Sequence, residues 1–104
     1  MRVLLVDDEP FYFKLIRNAL REPEYVLEYA KSSAEALTKI TSFSPEMLIV
    51  DLKLPDMDGF EILERLRRDP KFSYVPVIVI TSKDELSEKL RAFELGADDY
   101  LVKP

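Results

Sequence analysis

Residues 47–66, MLIVDLKLPDMDGFEILERL, hold two hydrophobic patterns in succession, and the change from one to the other decides the fold class. Met47-Leu48-Ile49-Val50 is a continuous apolar run stopped by Asp51. Hydrophobicity that does not alternate belongs to a strand covered on both faces, as in a parallel sheet. Beyond Pro55 and Gly59 the apolar positions fall at Phe60, Leu63 and Leu66, the spacing of one helical face. Gly59 reads as the residue that lets the intervening turn adopt a positive φ. A strand, a loop and a helix in this order are the first half of a parallel crossover.

The alternation extends in both directions. Val3-Leu4-Leu5-Val6 and Val77-Ile78-Val79-Ile80 are further apolar runs, and two weaker strands are predicted at Val26–Ala30 and Asp99–Val102. Between them, helical stripes are predicted at Tyr12, Leu15, Ile16, Ala19 and Leu20, at Ala36, Ile40 and Phe43, and at Leu86, Leu90 and Phe93. Ser32 and Glu35 have capping-box spacing before the second helix, and Gly96 stands where the fourth should stop. The expected architecture is β-α-β-α-β-α-β-α-β, a doubly wound α/β fold with a five-stranded parallel sheet. The chain shows no repeat, low-complexity tract or linker.

Composition narrows the chemistry. The 104 residues include 20 acidic and 15 basic side chains, a net charge of -5, with neither His nor Cys. That excludes Ser-His-Asp and Cys-His nucleophiles, the usual zinc ligands and thiol redox chemistry. The acid excess argues against a nucleic-acid surface. No apolar stretch approaches the roughly 18–20 residues that span a bilayer, and residues 1–6 run into Asp7-Asp8 rather than a signal cleavage site. A cytoplasmic location is expected.

In doubly wound sheets, ligands bind beyond the carboxyl ends of the strands. There this sequence places Asp7 and Asp8, Asp51, Thr81 and Ser82, and Lys103 with Pro104. Any one of them alone is an ordinary cap, turn or surface residue. Together they form a chemical set. Clustered carboxylates need a cation, and oxygen-only ligands select a hard ion such as Mg²⁺. A carboxylate can attack phosphorus, while an ammonium and a metal hold the phosphoryl oxygens.

The stretches VLLVDDEP (3–10), LIVDLKLPDMDGFEIL (48–63), PVIVITS (76–82) and GADDYLVKP (96–104) together resemble the receiver domain of two-component response regulators. The resemblance implies a flavodoxin-like sheet of order 2-1-3-4-5. It implies a phosphoacceptor at Asp51, supplied by the phosphohistidine of a sensor histidine kinase or a histidine phosphotransfer domain. Mg²⁺ would be held by Asp8 directly, by Asp7 through water, by Asp51, and by the backbone carbonyl of Lys53. Lys103 would pair with the phosphoryl group, Pro104 would follow a cis peptide bond, and Thr81 and Tyr100 would be the switch pair, Tyr100 moving inward with Thr81. The missing His fits a phosphoryl recipient, a signalling domain rather than an enzyme.

Lys53 and Lys83, each two residues beyond a site residue, offer no group to orient an attacking water, so slow autodephosphorylation is expected. Receivers of this family carry a fifth helix after the Lys-Pro pair. The domain at 1–104 is therefore expected to be truncated after its fifth strand, to expose apolar surface and to self-associate as a homodimer; any output domain beyond residue 104 is left open. Two alternatives stand beside this reading. One is a pseudo-receiver that signals by contact alone. The other is a phosphohydrolase resembling the haloacid dehalogenase group, in which Lys53 stands where that group has a second Asp.

Overall fold

A computed structural model describes residues 1–56, 58–82 and 84–104. Its elements are β1 (Arg2–Val6), α1 (Pro10–Ala19), β2 (Val26–Ala30), α2 (Ser33–Phe43), β3 (Met47–Val50), α3 (Gly59–Arg68), β4 (Val77–Thr81), α4 (Leu86–Glu94) and β5 (Asp99–Val102). The five strands form one sheet in the order β2-β1-β3-β4-β5, every neighbouring pair parallel. This is the expected flavodoxin-like order.

Unbroken apolar runs form strands here because both faces of the sheet are covered. Successive side chains point to opposite faces. Leu4, Val6, Leu48, Val50, Val77 and Val79 enter one core with Ala36, Ile40, Phe60, Ile62, Leu63, Leu66 and Ala92. Their alternates Val3, Leu5, Ile49 and Ile80 meet Phe13 and Ile16 of α1 and Leu20 at its C-cap on the other face.

The register then places the site. Val6 pairs with Val50, Val50 with Val79, and Thr81 with Val102, so the strands end nearly level. The ladder also runs past the strands. Asp7 N donates to Ala30 O (3.0 Å), Asp51 N to Val6 O (2.8 Å) and Lys103 N to Thr81 O (2.8 Å). The polar residues after the strands are thereby held along one edge by backbone bonds.

Two predicted helix faces are rotated. On α1, Leu15 is 45% exposed and Ala19 is also exposed, while the inward residues are Tyr12, Phe13, Ile16 and Leu20. The Phe13 ring stacks on Tyr29 of β2 (4.5 Å, 19°), which sets the helix's rotation. On α4 the predicted stripe faces outward: Leu86 is 70%, Leu90 53% and Phe93 48% exposed, and only Ala92 is buried. The small Ala92 side chain lets the helix backbone approach the sheet. The Lys89 ammonium and the Arg91 guanidinium lie over the rings of Tyr100 and Phe60, 6.0 and 4.2 Å from the centroids.

Local signals fared better. Ser32 caps α2 through Glu35 N, although the Glu35 carboxylate reaches Lys31 N rather than the cap's own. Gly96 follows α4 with φ 96°, a conformation that suits glycine. Gly59 is a correction, since its φ is not positive. Glycine is required there for space: a Cβ would lie 2.5 Å from Asp51 O and 2.7 Å from Leu52 Cα. The expected cis bond before Pro104 is a second correction, because the described residues contain none. The trans form of an X-Pro bond is intrinsically lower by roughly 0.5–1 kcal/mol.

Candidate functional site

Each strand-end residue owes its place to the ladder, and the side chains converge on one ammonium. Lys103 Nζ lies 2.9 Å from Asp51 Oδ2, 2.9 Å from Asp7 Oδ2 and 3.1 Å from Glu9 Oε1. Its other side faces the ring of Tyr12, 4.1 Å from the centroid, and the Tyr12 hydroxyl donates to Pro104 O. The group is enclosed: the Lys103 side chain is 3% exposed, that of Asp51 4% and that of Asp7 0%. Thr81 is buried beside them, whereas Asp8 and Ser82 are exposed at the rim.

The loops after β1 and β3 are tied back to the same carboxylates. Asp7 Oδ1 accepts from Glu9 N (2.9 Å), and Asp51 Oδ1 accepts from Lys53 N (3.1 Å). Across the second loop Lys53 bridges to Asp58, whose carboxylate caps α3 through Phe60 N (2.8 Å). Gly59 N closes onto Leu52 O (3.0 Å). Gly59→Ala should lower stability by about 2 kcal/mol, because the added methyl meets backbone at the acceptor residue rather than a side chain that can yield. Urea denaturation checks this, and a loss under about 0.5 kcal/mol would show that the loop relaxes freely.

The electrostatics are those of a cluster short of positive charge. Carboxylate oxygens of Asp7, Asp8, Glu9 and Asp51 all lie within 4.8 Å of one another. Burial pushes the Asp7 carboxyl above its ordinary value, more than its contacts with Lys103 pull it down. Burial also works against the Lys103 ammonium, but Asp51 and Asp7 outweigh it and hold its pKa above the ordinary lysine value. One cation thus serves several anions. Asp7 Oδ2, although beside Nζ, makes no aligned hydrogen bond and keeps unused acceptor capacity. A second, hard cation with its own water shell fits this donor set.

The site opens to solvent through a cavity of about 250 Å³ lined by Asp8, Glu9, Asp51, Lys53, Leu54, Pro55 and Ser82. Glu9 was missed as a site residue, although it directly follows Asp7-Asp8. Tyr12 was assigned only to the core. Neither role has a local signal, since both arise from contact with a lysine more than ninety positions away in sequence. Tyr100 is already packed in the core at 9% exposure. Lys53 lies exposed at the opening, and Lys83 is outside the described residues.

The family model of the response regulator receiver domain matches residues 3–104. The chain belongs to that family. This receiver is 39% identical over 104 residues to the transcriptional regulatory protein TrcR of Mycobacterium tuberculosis, covering all of this chain and 40% of TrcR. It is 34% identical over 103 residues to the DNA-binding dual master transcriptional regulator RpaA of Synechocystis, covering 99% of this chain and 43% of RpaA. The chain therefore spans about two-fifths of the length of these relatives. Among solved structures, the non-phosphorylated HemR receiver domain of Leptospira biflexa is 32% identical, with a TM-score of 0.88 over 99% of this chain and 82% of that one. The chemotaxis protein CheY4 of Vibrio cholerae is 29% identical, with a TM-score of 0.90 over 99% and 86%. The receiver is accordingly a signalling domain of two-component systems, and the phosphohydrolase alternative loses its support. Among its described residues, no helix is long and apolar enough to cross a membrane.

Proposed function

We propose that this receiver takes a phosphoryl group onto Asp51 from the phosphohistidine of a sensor histidine kinase or histidine phosphotransfer domain. The observation that carries the reading is the buried Lys103 ammonium, 2.9 Å from both Asp51 and Asp7, within a cluster of four carboxylates. Asp51 attacks phosphorus in line, its oxygen–phosphorus bond forming as the bond to the donor imidazole nitrogen breaks; the electron pair stays on that nitrogen. Asp7, Asp8, Asp51 and the Lys53 carbonyl would hold Mg²⁺, which supplies positive charge to the phosphoryl oxygens when bound. Lys103 stabilises the same oxygens by giving up part of its contact with the carboxylates.

The phosphorylated site then favours a different arrangement of Thr81 and Tyr100, changing which partner the surface of α4 and β5 prefers. Tyr100 lies in the core at 9% exposure, the inward position that this switch assigns to its ring. The proposed setting is cytoplasmic, with an output domain or a second copy of the chain as the responding partner.

Incubation with acetyl phosphate and Mg²⁺ tests the reading. The intact mass should rise by one phosphoryl group, chelation of Mg²⁺ should prevent the rise, and beryllofluoride should bind in its place. An unchanged mass and no beryllofluoride binding would favour the pseudo-receiver instead.

Lifetime of the mark is set at the opening. Lys53 offers nothing there to accept a proton from water, although Glu9 adds a carboxylate that positions 53 and 83 lack. Lys53→Gln should shorten the phosphoaspartate half-life by roughly tenfold, less than the ~10²–10⁴-fold of a full general base, because an amide orients the attacking water without taking its proton. The decay of radiolabel checks it, and an unchanged half-life would remove Lys53 from this role.

A further inference from the structure

We infer that Asp56 is a positioning residue, a bidentate anchor that holds the loop after β3, and with it Lys53, in place for metal binding. The loop after β3 leaves the sheet edge and must return to α3. Its internal ties, the Lys53–Asp58 bridge and the bond from Gly59 N to Leu52 O, close its base. They do not fix the direction in which the loop leans.

Asp56 supplies that direction. Its Oδ1 accepts from Ser33 N (2.8 Å) and its Oδ2 from Ala34 N (2.9 Å), across more than twenty residues of sequence. Both donors belong to the first turn of α2, where the free N–H groups and the helix dipole favour a carboxylate. Two bonds from one planar group restrict rotation as well as distance. The other end of the tether is firm: Ser33 is fully buried and α2 packs against β1 and β2. Pro55, immediately before, narrows the backbone freedom of the anchor itself.

The contact is not needed to start α2. Ser32 Oγ accepts from Glu35 N and Ser32 O from Ala36 N, so the helix already has its own cap. The loop is what gains from the additional bonds. The same loop residues Lys53, Leu54 and Pro55 line the opening to Asp51. A tilt of the loop would therefore move both the wall of that opening and the Lys53 carbonyl.

This inference rests on the proposed Mg²⁺ site, and its test reads metal affinity rather than phosphorylation. Mg²⁺ is titrated into the wild-type chain, Asp56→Ala, Asp56→Asn and Ser32→Ala, with binding followed by NMR shifts and stability by urea denaturation. Asp56→Ala should weaken Mg²⁺ binding by roughly tenfold, the low end for groups that orient metal ligands. Asp56→Asn keeps one acceptor oxygen and should fall between Asp56→Ala and wild type; it carries the test if the alanine variant does not fold. Ser32→Ala removes a cap from the same helix without touching the loop, and should lower stability while leaving the affinity at the wild-type value. Wild-type affinity in both Asp56 variants would overturn the inference, as would an equal loss in Ser32→Ala, which would assign the effect to helix stability. No Mg²⁺ binding by the wild-type chain would instead refute the phosphoacceptor reading, and the inference with it.

Discussion

Asp51→Asn should take up no measurable phosphoryl group from acetyl phosphate in Mg²⁺, a loss of at least roughly a hundredfold in rate, because an amide lacks the nucleophilic carboxylate oxygen. The variant is informative because it is nearly isosteric. Its amide oxygen can still accept from the backbone N–H of Lys53, as the Asp51 carboxylate does at 3.1 Å, so the loop after β3 should keep its base. Lys103 keeps Asp7 and Glu9 as ionic partners. The variant should therefore fold, and its failure to gain mass would report chemistry rather than collapse. If it gained mass at the wild-type rate, another nucleophile would be at work, and peptide mapping of the acid-labile group would identify it.

Lys103→Met should lower stability by about 3 kcal/mol near neutral pH, the low end of the cost of breaking a buried ion pair from one side. Methionine restores most of the lysine's apolar stem, so little of the loss is packing. What remains is Asp7 and Asp51, both almost wholly buried, without the ammonium that lay 2.9 Å from each. The Asp7 carboxyl, already held above its ordinary value by burial, would rise further without Lys103. A carboxyl whose folded pKa is raised stabilises the fold most when protonated, below its unfolded pKa, and that contribution is lost as pH rises through the folded value. The deficit of the variant should accordingly widen with pH. Mg²⁺ should return part of the stability by supplying the missing positive charge. Urea denaturation across pH, with and without Mg²⁺, measures both effects; a pH-independent loss below about 1 kcal/mol would mean the carboxylates do not depend on this lysine.

The two variants differ in which link they break. Asp51→Asn removes the reacting atom and one of the anions around Lys103 but keeps the cation with Asp7 and Glu9, whereas Lys103→Met removes that cation and leaves the nucleophile. Gly59→Ala acts a step earlier, on the backbone approach that lets the loop after β3 fold against Asp51.

Much of the site was legible because it follows from the end of a strand. Once Val3-Leu4-Leu5-Val6 and Met47-Leu48-Ile49-Val50 are read as parallel strands, Asp7, Asp8 and Asp51 must lie at one edge, since parallel neighbours share a direction. Lys103 follows by the same argument from β5. Glu9 and Asp56 did not follow. An acid just after two others, and an acid in a Pro-Asp turn, look the same in sequence whether they face solvent or a partner. Glu9 gained its meaning from Lys103, and Asp56 from the first turn of α2.

Helix rotation was the other point at which local pattern gave way. The spacing of Leu86, Leu90 and Phe93 is a helical stripe, and α4 does form, but the stripe faces outward while Ala92 lies against the sheet. Periodicity shows that apolar residues share a face of a helix; it does not say which face meets the core.

By itself, then, the sequence determined the order of strands and helices, the direction of the strands and the set of chemical groups at their carboxyl ends, because all of these depend on short-range pattern and backbone geometry. Tertiary structure decided the rotation of α1 and α4, the gathering of three carboxylates around Lys103 and the tie from Asp56 to α2. Those features depend on distances between residues far apart in the chain, which exist only after the sheet has closed and a few ångströms settle which charges share a cation.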